Sequence, residues 1–108
     1  VPVRLLAYVG RDAAAGFCLG QLSGAGVDIG MVVRSSSPTA ATIAIVNSAG
    51  ARALLHRPGV SREAFSEPPE FTSEAIRGCH WFHLANAYSL PRVRPQAGEI
   101  LIPPLRPP

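Results

Sequence analysis

The sequence predicts a mixed α/β fold in which parallel-sheet strands with helices carry an antiparallel meander. Three observations lead there. A short apolar run, Leu5 to Val9, passes through a turn into a helix-forming stretch. The middle of the chain alternates β-prone segments with short turns, and a second apolar segment, His80 to Ala85, follows a further helical stretch. With 108 residues, 47% of them hydrophobic, the chain has the length and composition of one small globular domain.

Leu5 to Val9 ends at Gly10 and has the continuous apolar pattern of a strand buried on both faces. Asp12 stands at the N-cap position ahead of the helical stretch Ala13 to Leu22. Gly16 and Gly20 lie on one face of that helix, which predicts a close approach to a sheet. Gly24-Ala25-Gly26 ends it. Ile29 to Arg34, Thr39 to Asn47 and Arg52 to Arg57 read as three consecutive strands. The Ser35-Ser36-Ser37-Pro38 cluster and the Ser48-Ala49-Gly50-Ala51 turn separate them, and such short connections predict a meander. In the middle strand Thr42, Ala44 and Val46 share one face, and Ile43 and Ile45 the other.

Pro58-Gly59 closes the meander. A helical turn over Glu63 to Phe65, a helix over Pro68 to Arg77 closed by Gly78, and a buried strand over His80 to Ala85 follow as expectations. Six of the eleven prolines fall in the last 18 residues. Gln96 to Leu101 still has helical character, but Ile102-Pro103-Pro104 cannot continue it, because proline lacks the donor and clashes with the preceding turn. The expected organisation is one partial domain over residues 1–91 and a disordered Pro-rich tail over 92–108.

Net charge is +3, and all ten basic residues are arginines spread from Arg4 to Arg106. Only Arg92 and Arg94 lie close together, so the clustered basic face of a nucleic-acid binder is missing. No apolar run approaches membrane-spanning length. Val1-Pro2-Val3-Arg4 lacks an initiator Met and a secretory pattern, and reads as a start inside a longer gene product. Cys18 and Cys79 are expected as reduced thiols of a cytoplasmic protein, Cys18 in the helix core. Cys79 and His83 would share a strand face with His80 opposed and His56 remote in the meander. A closed zinc site needs about four ligands, so no metal site is expected, and His83 reads as a buried strand residue.

Four stretches together resemble the ribokinase-like (PfkB) carbohydrate kinases. Val9-Gly10-Arg11-Asp12, Leu22 and Gly26-Val27-Asp28 are similar to that family's "VGxDxxG…L…GVD", with Ala15 at the family's glycine and Gly16 one residue later. Pro38-Thr39 leading into Thr42 to Asn47, then Gly50 and Arg52, resembles the lid strands joined by a "dxxGxR" turn, with Asn47 at the usual Asp. Pro58-Gly59 resembles the "pGA" turn, although Val60 and Ser61 depart from the common Ala and Asn. Gly78 to Leu84 resembles the "gadxxHl" strand. The match extends over about residues 3 to 100, and its weight lies in the order of the motifs.

The resemblance implies a partial ribokinase-like fold with a lid over about residues 29–57. It implies a piece of an ATP-dependent sugar kinase, with ATP and Mg2+ as cofactors of the full-length protein and none held by this chain. A sugar is the implied substrate, and a homodimer through the lid the implied assembly. The family's Gly-Gly-Asn sugar grip and its Gly-Ala-Gly-Asp motif, which supplies the general base and anion hole, do not occur here. Gly24-Ala25-Gly26-Val27-Asp28 looks like the latter with one inserted residue, but its glycines follow a helix, whose carbonyl end disfavours anions. Asp28 is therefore read as a turn residue, and no catalytic residue is assigned.

By position in the family, Thr42, Ala44 and Leu54 would touch the sugar as lid residues, with plain sheet or dimer packing as the alternative. Asn86, just after Ala85 at the family's acidic position, would exchange hydrogen bonds with sugar hydroxyls or serve as a turn residue. The competing readings for the whole chain are a non-catalytic dimerising module and a gene fragment without function of its own.

Overall fold

In the computed structural model, which describes residues 2–66, 77–86 and 90–92, the opening apolar run forms half of a parallel pair. Strand β1 (Tyr8–Val9) pairs with β2 (Val33–Arg34), Tyr8 beside Val33 and Val9 beside Arg34. Helix α1 (Ala13–Gly24) lies between them in sequence, the crossover that parallel neighbours require. The ladder extends upstream through a parallel bridge between Arg4 and Asp28. The bonds Leu5 N–H to Asp28 O (3.0 Å), Val33 N–H to Ala7 O (2.9 Å) and Ser35 N–H to Val9 O (2.8 Å) run along it.

Both strands are shorter than predicted. The offset between partners is 24 residues at Arg4 and Asp28 and 25 at Tyr8 and Val33, so one extra residue enters the second strand. A turn closed by Val32 N–H to Ile29 O at 3.1 Å absorbs it. Leu5 to Val9 is also only half-buried, not covered on both faces.

Helix α1 starts where the sequence places its cap: the Asp12 carboxylate accepts from Ala15 N–H at 3.0 Å. It ends with paired bonds from Gly26 N–H to Ser23 O and from Val27 N–H to Leu22 O, with Gly26 at φ 84°. This is the Schellman arrangement, which favours glycine at that position. The buried line is Ala15 and Leu19, continued by half-buried Leu22. Gly16 and Gly20 sit one position off that line, and a Cβ on either would meet no atom within 4 Å. The expected close approach through these glycines is therefore corrected. Cys18, expected in the core, is exposed, because it too lies off the buried line.

The antiparallel part is a hairpin of β3 (Ala41–Val46) and β4 (Arg52–Arg57). The first of the three predicted meander strands is not part of it, since its ladder groups are taken by β1. Asn47 shapes the turn: its side-chain oxygen accepts from Ala49 N–H and Ala51 N–H, each at 3.0 Å. Every residue of β3 and β4 is exposed. A short 3-10 turn, Gly59–Arg62, follows.

The chain divides into two compact units, Val1–Ser61 and Arg62–Pro108. In the second, Ser66 N–H closes a turn on Glu63 O at 3.1 Å, with Phe65 at φ 59°. The strand predicted over His80 to Ala85 is not formed: these residues belong to no strand, and all of them except half-buried Leu84 are exposed. A strand buried on both faces needs cover on each side, which exposed residues lack. The helices predicted over Pro68 to Arg77 and Gln96 to Leu101, and nearly all of the Pro-rich tail, lie outside the described residues.

Two glycines meet backbone closely. A Cβ on Gly10 would lie 2.6 Å from Ser37 O and 2.7 Å from Thr39 N, and one on Gly59, itself at φ 49°, would overlap the Pro38 carbonyl. Gly10→Ala and Gly59→Ala are each expected to lower the unfolding free energy by about 2 kcal/mol or more. Gly20→Ala, in open helix interior, should raise it by about 0.5–1 kcal/mol. Urea titration of the three variants checks the contrast, and equal effects would contradict the packing described.

Candidate functional site

The hairpin is anchored at its base to the start of α1. Thr39 N–H donates to Asp12 Oδ2 at 2.9 Å, and the Thr39 hydroxyl donates to Asp12 Oδ1 at 2.6 Å. That hydroxyl also accepts from Gly10 N–H at 2.9 Å. Thr39 is 8% exposed, so its hydroxyl depends on these partners in place of water. The returning strand joins the same knot: Arg57 Nη2 donates to Thr39 O at 3.1 Å, and Val60 N–H to Pro38 O at 2.9 Å. The Thr39 hydroxyl, then the Thr39 and Ala15 amides, hold the Asp12 carboxyl at about 2, below its ordinary 3.8.

Above this base the register sorts the side chains. Thr42 lies opposite His56, Ala44 opposite Leu54 and Val46 opposite Arg52, while Ile43 faces Leu55 and Ile45 faces Ala53. Directly opposed residues project to the same side, so Thr42, Ala44 and Leu54 come together on one face. Thr42 Oγ1 and His56 Nδ1 are hydrogen-bonded at 2.8 Å. Sequence reasoning placed Thr42 and Ala44 on one face and left Leu54 to the register, which brings it there; it weighed His56 only as a remote metal ligand and missed Thr39 as an anchor. Asn86 lies in the second unit, exposed, at φ 53°, a left-handed conformation that asparagine tolerates.

Other polar groups are already engaged. Asp28 accepts from Arg4 Nε and from Gly30 N–H, each at 2.9 Å. The Gly30 amide first, and Arg4 second, hold its carboxyl below the ordinary range. Asp28 thus belongs to the parallel ladder as well as to a turn. The amides of Gly26 and Val27 point back into the end of α1. Both carboxylates and both amides are thus engaged within the fold. Among the described residues no three His, Cys, Asp or Glu side chains cluster to hold a metal. Cys79, His80 and His83 are exposed, which corrects the reading of His83 as a buried strand residue.

Among solved structures, the chain is similar to a ribokinase from Thermotoga maritima, with a TM-score of 0.55 and 18% identity over 68% of this chain. The fold is ribokinase-like. A protein named Sa239 matches comparably, with a TM-score of 0.54 and 20% identity over 67% of this chain. Each match spans only 23% of the other protein, so the ribokinase-like fold is present here in part. No family model and no curated protein sequence matches the chain. Among the described residues no helix is long and apolar enough to cross a membrane.

The Asp12 anchor has a defined acid dependence. Because its folded-state value is lowered from 3.8 to about 2, the stability it contributes is complete above the ordinary value and is lost as pH falls toward 2. Asp12→Asn should remove that part of the dependence. Urea midpoints of both proteins across this acid range should converge on acidification, and parallel curves would refute the anchor.

Proposed function

We propose that this chain is the sheet-and-lid portion of an ATP-dependent kinase that phosphorylates a sugar hydroxyl. The register that gathers Thr42, Ala44 and Leu54 on one exposed hairpin face is the observation that carries this reading. The partial ribokinase-like fold supports it. A largely apolar face closed over a sugar keeps out water, which otherwise competes with the sugar hydroxyl for the phosphoryl group. In this reading Thr42, Ala44 and Leu54 cover the sugar. The general base, the anion hole, ATP and Mg2+ belong to a longer, cytoplasmic protein, and this chain performs no transfer alone.

A second reading, a hairpin that pairs with another copy of the chain, draws support from the apolar exposure of β3 and β4. Ile43, Ile45, Val46, Leu54 and Leu55 are each between 56% and 63% exposed. Among the described residues no strand pairs with the outer edges of β3 and β4, and open edges favour strand pairing.

Two measurements test these readings. An ATP-coupled assay of the chain across neutral sugars should give no turnover, whereas D-ribose or D-fructose should shift the methyl resonances of Ala44 and Leu54. Turnover would contradict the incomplete-kinase reading, and unmoved methyls would contradict the lid. Sedimentation over a concentration series should show a dimer that Leu55→Asp weakens at least tenfold, and a strictly monomeric chain would remove the second reading.

A further inference from the structure

The hairpin face that carries Ala44 and Leu54 is not uniformly apolar. At its tip lies Arg52, opposite Val46, and at its base lies the pair Thr42 and His56. That pair is exposed, with Thr42 Oγ1 2.8 Å from His56 Nδ1. An exposed hydrogen bond between two polar side chains adds little to stability, because water replaces either partner. Its consequence is orientation. The bond fixes the imidazole by one nitrogen and turns the other, Nε2, away from Thr42.

Two tautomers satisfy this geometry. When Nδ1 accepts from the Thr42 hydroxyl, Nε2 carries the proton and faces outward as a donor. When Nδ1 carries the proton and donates to Thr42 Oγ1, the Thr42 hydroxyl proton is released outward and Nε2 becomes an acceptor. In each case the pair keeps an outward donor. A sugar hydroxyl both donates and accepts, so it matches either state, and an apolar ligand matches neither. Beside Ala44 and Leu54 the pair is the polar feature at the lid's base, and selectivity for hydroxylated ligands follows from it.

We propose that His56, held by Thr42, is a specificity-determining residue of the lid that takes one hydroxyl of a neutral sugar through the Thr42–His56 pair. This rests on the lid reading above and adds His56 to the residues that touch the sugar.

The test uses the full chain, labelled with 15N in histidine and 13C in methyl groups, with D-ribose, D-fructose and glycerol as probes. The sugars should shift the His56 ring nitrogens together with the Ala44 and Leu54 methyls. His56→Leu should weaken sugar binding about fivefold to tenfold, the effect of one hydrogen bond to a ligand. His56→Gln, whose amide reaches the position of Nε2, should restore part of the loss. Thr42→Val combined with His56→Leu should cost no more than either alone, the signature of a pair acting as a unit. Sugars that move the methyls but leave the His56 ring unmoved would overturn this inference and leave the lid reading intact. Fully additive losses would do the same. Probes that move no hairpin resonance would overturn both, and the ring-nitrogen readout in the unsubstituted chain decides the matter even if a variant fails to fold.

Discussion

The Asp12 carboxylate and the Thr39 that satisfies it are the contact on which the rest of the structure depends. One side chain caps α1, accepts the Thr39 amide and accepts the Thr39 hydroxyl. Thr39 in turn takes the Gly10 amide at the end of β1 and, through its carbonyl, the Arg57 guanidinium at the end of β4. Strand, helix and hairpin therefore meet at one polar centre. The tight backbone approaches at Gly10 and Gly59 follow from it, since both bring main chain against the Ser37-to-Thr39 segment.

This arrangement explains how a hairpin with no buried residue keeps its place. Apolar burial in the first unit is confined to a few side chains, Ala15, Leu19 and Val60 among them, and none comes from β3 or β4. The hairpin is held by hydrogen bonds at its base and by its own ladder. Its faces stay open as a result.

The hairpin face has an apolar part and a polar part. Ala44 and Leu54 lie opposite one another at its middle, and Thr42 is hydrogen-bonded to His56 at its base. Asp12, Asp28 and the amides after α1 already have partners within the fold. The part of the ribokinase-like fold present here amounts to 23% of a ribokinase.

What the sequence by itself determined was local. The Asp12 cap, the Gly26 stop, the bounds of β4 and the shared face of Thr42 and Ala44 each follow from residues within a few positions of one another. Leu54 needed the hairpin register, and Asn47, whose side chain shapes the turn, marks where that register is set. Only the tertiary structure decided which ladder takes Val33 and Arg34, which line of α1 is buried, and whether His80 to Ala85 is covered. Gly16 and Gly20 carry the spacing of a packing face, yet Ala15 and Leu19 carry the packing. Thr39 as an anchor and His56 as a partner of Thr42 were equally out of reach. Their roles rest on contacts 27 and 14 residues away, and such distances are set by how elements dock, not by any periodicity along the chain.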